Sequence, residues 1–328
     1  MKLAHSVYVT PGRCGLYEST HDLITALRRL GVDARIFDPK AEESKMYPHG
    51  LTTDDRGVPF ADVNWAKKAD FLVNHSGLGK TLAHEGPPVI HMSHGRPKYS
   101  FLLEQTDKVA IYSYQYKKSK DKRYKAVVTF WPEHKPYMEV NWPDTPVHVI
   151  PAPVNIDRWT NDGPSGYQFG GRKADINLVC ADSIREDNDP FIVMNAAILY
   201  ARYHKGTKLH LYAAPEDTKA YAVLYRKMRE EDCLGEVKPW VSGLEHVYRA
   251  ADCVLTAVPI ATRIVRESMA CGCPVAAYTN DMNLNTYVRY INEIRRTPRE
   301  QVRKQACAKF DSVKSAMKLK EIAETLCT

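Results

Sequence analysis

The sequence predicts an α/β protein built from two parallel-sheet halves, and three observations predict it. The chain has 328 residues, about twice the length of an ordinary domain. Short apolar runs of strand type alternate with segments of helical periodicity, the pattern of successive βαβ units. A stretch rich in Gly, Asn and Asp with almost no apolar content, residues 160–172, divides the alternation in two. The composition, 44% apolar and 26% charged, is that of a globular protein and excludes a disordered, collagenous or coiled-coil chain. No run approaches the roughly 18 apolar residues of a membrane helix. The opening residues 1–7 are too short and polar for a secretory signal. The expectation is a cytoplasmic protein with no integral membrane association.

Taken in order, Ala4 to Val9 reads as a buried strand, followed by a turn containing Gly12 and Gly15. Apolar residues at Leu23, Ile24, Leu27 and Leu30 have helical spacing, and Gly31 ends that helix. Strands are then predicted at Asp33 to Phe37, Asp70 to Val73, Pro88 to Met92, Val109 to Tyr112, Ala126 to Phe130 and Val147 to Ile150. The second series has strands at Ile176 to Cys180, Lys208 to Ala213, Glu236 to Val241, Cys253 to Ala257 and Pro274 to Tyr278. Its helices fall near 189–203, 218–230, 243–250 and 265–271, and residues 282–327 read as helices with a basic face. The expected organisation is a Rossmann-like domain over 1–158, a linker over 159–172, and a second Rossmann-like domain with C-terminal helices over 173–328. Such sheets bind ligands outside the carboxyl ends of their strands, here in the cleft between the halves.

Charge is unevenly spread. The net charge is +7; Lys98 to Lys125 holds eight Lys/Arg against three Asp/Glu, and Arg295 to Lys320 nine against two. Clusters of this kind suit an acidic partner such as nucleic acid, an anionic membrane surface or phosphates, or else form a solvated face. The eight cysteines are scattered and mostly lie in apolar runs, as small core residues do in a reducing compartment. Cys271-Gly272-Cys273 has no second pair at zinc spacing, so no metal site is expected.

The strongest chemical signal is the run Arg263-Ile264-Val265-Arg266-Glu267-Ser268-Met269-Ala270-Cys271-Gly272-Cys273-Pro274-Val275-Ala276-Ala277. It follows an apolar strand and a loop, opens a helix and returns to a strand. A helix N-terminus offers unpaired N–H groups and partial positive charge to an anion, which Arg263 and Arg266 would reinforce against a diphosphate. Glu267 in the first turn can accept hydrogen bonds from two vicinal hydroxyls, such as those of a ribose. The plain structural alternative is an ordinary helix–strand turn with a capping glutamate.

This block resembles the donor-site signature of retaining glycosyltransferases of the GT-B fold, especially family 4, in which a Glu-Ala-Met-Ala-Cys-Gly-x-Pro-Val run follows a strand of the C-terminal domain. Only Ser268 departs from that run. The resemblance extends weakly along most of the chain. Gly12-Arg13-Cys14-Gly15 is similar to the family's glycine loop facing the donor phosphates, and His94-Gly95 to its histidine near the donor sugar. Residues 149–157 resemble the segment closing the N-terminal domain, and 243–252 the helix before the donor-site strand. The resemblance implies a GT-B fold, two Rossmann-like domains facing each other across a cleft with C-terminal helices. It further implies a metal-independent hexosyl- or pentosyltransferase that retains the sugar's configuration. The donor-binding set is then Gly12, Gly15, Arg185, Arg263, Ile264 and Glu267, and the catalytic set His94, Arg185 and Arg263. The co-substrate is a nucleotide sugar, taken as a UDP-sugar, with no cofactor. Arg185, Arg263 and the helix amides would stabilise the departing diphosphate.

Two positions depart from the family pattern. A second glutamate, eight residues before Glu267, is replaced by Pro259, and the lysine on the diphosphate by Asn188. A separate stretch, Asn74 to Thr81, ends in Gly-Lys-Thr like a phosphate-binding loop. It lacks that motif's first glycine and follows a later strand than such loops do.

For the acceptor, the expected residues are Tyr114, Tyr116, Lys117, Lys118, Lys120, Lys122 and Arg123. Basic residues interleaved with aromatics suit a phosphate backbone with stackable bases. The preferred acceptor is a hydroxymethylated base in DNA, as in phage DNA-glycosylating enzymes of this fold, reached by flipping the base out of the stack. Glycan or lipid-linked acceptors, and a non-catalytic nucleotide-sugar-binding module, stay open as alternatives. The oligomeric state is not set by the sequence.

Overall fold

The computed structural model describes residues 1–8, 15–42, 52–94, 121–163, 166–170, 174–182, 190–212, 221–238, 241, 243–258 and 261–328. They form two compact units, Met1–Asn155 with Phe310–Thr328, and Ile156–Lys309.

The first unit is built on a six-stranded sheet of β1 (Lys2–Ser6), β2 (Asp33–Phe37), β3 (Phe71–Asn74), β4 (Val89–Ser93), β5 (Tyr124–Thr129) and β6 (Val147–Val149). The order is β2-β1-β3-β4-β5-β6 and every pairing is parallel. Parallel strands are covered on both faces, and accordingly β1 from Leu3 onward and all of β3 are buried. Helix α1 (Gly15–Arg29) buries Leu23, Ile24, Ala26 and Leu27. It ends in a Schellman motif: Val32 N–H donates to the Leu27 carbonyl at 3.1 Å and Gly31 N–H to Arg28 at 3.0 Å. Gly31 has φ +78°, the left-handed conformation that the motif needs. Short helices α2 (Val63–Lys67), α3 (Lys80–Glu85) and α4 (Lys135–Asn141) complete the crossovers.

The second unit carries β7 (Ile176–Cys180), β8 (Thr207–Tyr212), β9 (Leu234–Lys238), β10 (Cys253–Thr256) and β11 (Val275–Ala277) in the parallel order β11-β10-β7-β8-β9. Helices α5 (Pro190–Tyr203), α6 (Ala222–Glu230), α7 (Leu244–Ala250), α8 (Arg263–Ala270) and α9 (Leu284–Ile294) follow its strands. The apolar face of α5, including Met194, Ala197, Ile198 and Tyr200, joins Leu178, Leu209, Leu255, Tyr287 and Ile291 in one core. Helices α10 (Arg299–Phe310) and α11 (Ser312–Cys327) close the chain. Each sheet reverses its strand order once, between β1 and β3 in the first and between β7 and β10 in the second. A doubly wound sheet opens a ligand crevice at such a reversal.

Two boundaries differ from the sequence reading. Helix α11, expected with the second half, belongs to the first unit. Its buried face, Ser312, Ser315, Ala316, Leu319 and Ala323, packs on α1, and the Ser315 hydroxyl donates to the Pro151 carbonyl at 2.9 Å. Nothing in the periodicity of a helix says which sheet it covers. The described part of the expected linker is also packed rather than loose. Trp159 is buried against Tyr248, Arg249 donates to the Thr160 and Asp162 carbonyls, and Gly170 N–H donates to Glu236 at 2.8 Å. The predicted strand 109–112 lies outside the described residues.

Candidate active site

In the second unit the order reversal is spanned by a buried side-chain bond: the Thr256 hydroxyl at the end of β10 donates to the Asp182 carboxylate just past β7. Val258 N–H in turn donates to the Thr256 oxygen at 3.0 Å. Helix α8 begins beyond that loop. Thr262 precedes it without capping it through its side chain, and its hydroxyl is buried without a hydrogen-bond partner among the described residues. The opening N–H groups of the helix therefore receive no side-chain cap from Thr262, an arrangement suited to an anion.

On α8, Arg263 and Glu267 lie four residues apart, one above the other on the same face. Their side chains pair directly, with Arg263 at 11% and Glu267 at 6% exposure. The sequence reading assigned Arg263 to phosphate and Glu267 to sugar hydroxyls; the structure adds that each is held by the other. A carboxylate accepts several hydrogen bonds, so pairing with Arg263 is compatible with further donors from a ligand. Ile264, next to them, is half-buried. Beneath the pair, Tyr248 is fully buried, with no partner for its hydroxyl among the described residues. Burial, and then the Glu267 carboxylate, push its phenol well above the usual range. Residues 271–273 turn back under the helix through Gly272, whose φ is +74° and whose added Cβ would meet the Arg299 carbonyl at 3.1 Å. Cys271 and Cys273 are buried, and burial pushes both thiols up to about 12. They are packing groups rather than nucleophiles.

In the first unit the reversal point holds histidines. His5 on β1, His75 just past β3 and His94 just past β4 stand in a row: His5 Nδ1 is 2.9 Å from His75 Nε2, and His75 Nδ1 is 2.7 Å from His94 Nε2. The Phe130 ring meets His94 edge-on at 4.9 Å between centroids. Bonds to the backbone hold the row in place, with His75 N–H donating to the Ser6 carbonyl and the Ser6 hydroxyl donating to the Gly77 carbonyl. The stretch 74–81 is thus stitched to the end of β1. Burial lowers the His5 pKa to about 3, and burial together with His94, His5 and His91 puts His75 well below its usual value. Of this row, only His94 was singled out by sequence. His5 and His75 lie 70 residues apart, and no local pattern joins them.

The remaining predicted residues separate. Gly15 opens α1; Gly12, Arg185, Tyr114, Tyr116, Lys117, Lys118 and Lys120 lie outside the described residues, as do Asn188 and Pro259. Lys122 and Arg123 precede β5, at the amino ends of a parallel sheet whose carboxyl ends carry His94, so the structure does not bring them to it. Arg123 binds Asp121 at 2.7 Å and donates to the Leu82 carbonyl in the last turn of α3 at 3.0 Å. Its guanidinium serves as a C-terminal clamp on that helix, a role that a count of positive charge does not reveal. Among the described residues no group of three or more His, Cys, Asp or Glu could hold a metal ion, and no helix is long and apolar enough to cross a membrane.

No protein-family model matches the chain, and no curated protein matches its sequence. Solved structures do match its fold. A sucrose-phosphate synthase from Thermosynechococcus elongatus is similar over 99% of both chains with a TM-score of 0.74 and 12% identity. HepE from Anabaena, solved with UDP and glucose, is similar over 100% of this chain and 99% of its own, with a TM-score of 0.65 and 16% identity. The pneumococcal O-GlcNAc transferase GtfA, solved with UDP and GlcNAc, is similar over 100% of this chain and 99% of its own, with a TM-score of 0.68 and 10% identity. The architecture is mixed α/β with two parallel sheets, the GT-B fold.

Proposed function

We propose that the chain is a glycosyltransferase that takes its sugar from a nucleotide sugar, with UDP as the carrier, and retains the anomeric configuration. The observation that carries this reading is the placement of Arg263, Ile264 and Glu267 on a helix that Thr262 leaves without a side-chain cap, beside the order reversal of a GT-B sheet. The full-length likeness to folds solved with UDP and a sugar supports it. Cleaving the anomeric C–O bond leaves negative charge on the diphosphate. Arg263, the opening amides of α8 and Arg185 would stabilise that charge electrostatically, without a metal ion. Glu267 would accept hydrogen bonds from the nucleotide's ribose. Pro259, standing where the resembled family has a glutamate, implies that the sugar is read by other groups.

The acceptor proposed for testing is a hydroxymethylated base in duplex DNA, carried by the basic and aromatic run that includes Tyr114, Tyr116, Lys117, Lys118 and Lys120. Lys122 and Arg123, expected with that run, lie at the amino ends of the first sheet, with Arg123 engaged by Asp121 and the Leu82 carbonyl. The deciding experiment is a transfer assay on hydroxymethylated DNA with a mixture of nucleotide sugars, read by nucleoside mass spectrometry. A hexose or pentose on the base supports the whole proposal. Nucleotide released with the base unmodified moves the acceptor to glycans or lipid-linked saccharides. Binding of nucleotide sugar without release under any acceptor makes the chain a binding module and overturns the transferase reading.

A further inference from the structure

The histidine row has a direction, and two independent observations set it. The Thr20 hydroxyl has one proton, and its oxygen lies 2.9 Å from the Leu16 carbonyl, where it donates. The same oxygen lies 3.1 Å from His75 Nδ1. With its proton committed, the oxygen accepts there, so His75 carries its hydrogen on Nδ1. A neutral imidazole has a single N–H; His75 Nε2 is then a lone pair and receives a hydrogen bond from His5 Nδ1–H. The second observation lies at the far end of the row. His5 Nε2 is buried with no partner among the described residues. With the hydrogen on Nδ1, the unmatched atom is a bare lone pair. The reversed assignment would bury an unpaired N–H, and orphaned buried N–H groups are the rarer and costlier case.

We propose that Thr20 and His75 hold His94 as its Nδ1–H tautomer, which makes His75 a positioning residue and His94 a fixed hydrogen-bond donor rather than a general base. The Nε2 lone pair that a base would use is taken up by His75 Nδ1–H at 2.7 Å. A second-neighbour group commonly sets the tautomer of a working histidine in this way. Any role of that N–H toward a ligand rests on the transferase reading. The tautomer rests on the geometry of the first unit alone. Burial keeps His5 and His75 neutral, consistent with one N–H on each ring.

The test is a long-range ¹H–¹⁵N correlation spectrum at pH 7 of the full chain, labelled with ¹⁵N in histidine only. His94→Gln and His75→Asn identify the two signals. The expected result is the Nδ1–H pattern for both His75 and His94; an Nε2–H pattern for either overturns the proposal. The same spectrum separates positioning from packing. Asn places an amide N–H near the former Nδ1, whereas Gln places it near Nε2. His94 should therefore stay in its Nδ1–H form in His75→Asn and become a tautomer mixture in His75→Gln. An unchanged His94 pattern in both variants overturns the positioning role. Should His75→Gln not fold, the spectra of the wild type and His75→Asn still decide. In the transfer assay, His75→Gln should lower kcat at least tenfold with KM for the donor changed less than threefold, and His75→Asn should stay within threefold of wild type. Binding of nucleotide sugar by the wild type without release of nucleotide under any acceptor would sink the transferase reading, while the spectrum still settles the tautomer.

Discussion

The two order reversals solve the same topological problem with opposite chemistry. In the second unit the crevice edge carries full charges, Arg263 against Glu267 and a Thr256 donor on the Asp182 carboxylate. In the first unit it carries imidazole rings in a row, His5, His75 and His94, the first two kept neutral by burial. Buried charge tolerates no missing partner, whereas buried neutral polarity tolerates rearrangement as long as protons stay matched to lone pairs. The strongest way to break this contrast is Glu267→Ala. It leaves Arg263 buried at 11% exposure without its carboxylate, and removing one member of a buried pair costs about 3–5 kcal/mol. Urea unfolding should register that loss. Calorimetric titration with UDP should also show binding weaker by about 1–3 kcal/mol through lost charge-assisted hydrogen bonds. Unchanged UDP affinity in a folded variant would remove Glu267 from the donor site.

Acid should introduce charge into the neutral crevice. His5 has a folded pKa of about 3 against 6.5 for an unperturbed histidine, because burial disfavours its charged form. Between those values the unfolded chain binds the proton and the folded chain does not. The contribution to stability is therefore complete above pH 6.5 and is lost as pH falls toward the folded value. Lowering the pH from 6.5 to 5 should cost about 2 kcal/mol at His5, and His75, shifted in the same direction, adds to the loss. Denaturant unfolding at both pH values measures it, with His5→Gln as the comparison. An equally steep pH dependence in that variant would show that His5 is not a source of it.

How far each crevice was legible in the sequence follows from the same contrast. Strands β2 and β7 fall on the predicted residues, and the ends of most others lie within about two residues, the usual scatter of strand boundaries. A buried parallel strand announces itself as a continuous apolar run. The Arg263–Glu267 locus was legible because it is local, four residues along one helix. The histidine row was not, since its links span 70, 55 and 19 residues and exist only after β1, β3 and β4 have come together. Arg123 shows the converse error. Counted among like charges it looked like a ligand group, but its bond to the Leu82 carbonyl, 41 residues away, is fixed by tertiary structure. The side on which α11 packs was hidden for the same reason.

Two threonines sharpen the comparison at smaller energies. Thr256→Val removes the donor to the Asp182 carboxylate and the acceptor for Val258 N–H. Hydrogen bonds to charged groups contribute about 1.5–3 kcal/mol, so a loss of about 2–3 kcal/mol is expected in urea unfolding. A loss below about 1 kcal/mol would mean that the bond across the second reversal is not holding β7 to β10.

Thr20→Val is the matching change in the first unit. It removes an acceptor from His75 Nδ1–H and a donor to the Leu16 carbonyl, but strands no charge. His75 keeps its bond to His94 at 2.7 Å, and the Leu16 carbonyl keeps its place in the turns of α1. Loss of a neutral bond should therefore cost only about 1 kcal/mol, half the effect at Thr256 or less. If Thr20→Val proved as damaging as Thr256→Val, the histidine row would be carrying charge after all, and the contrast between the two crevices would fail at its neutral end.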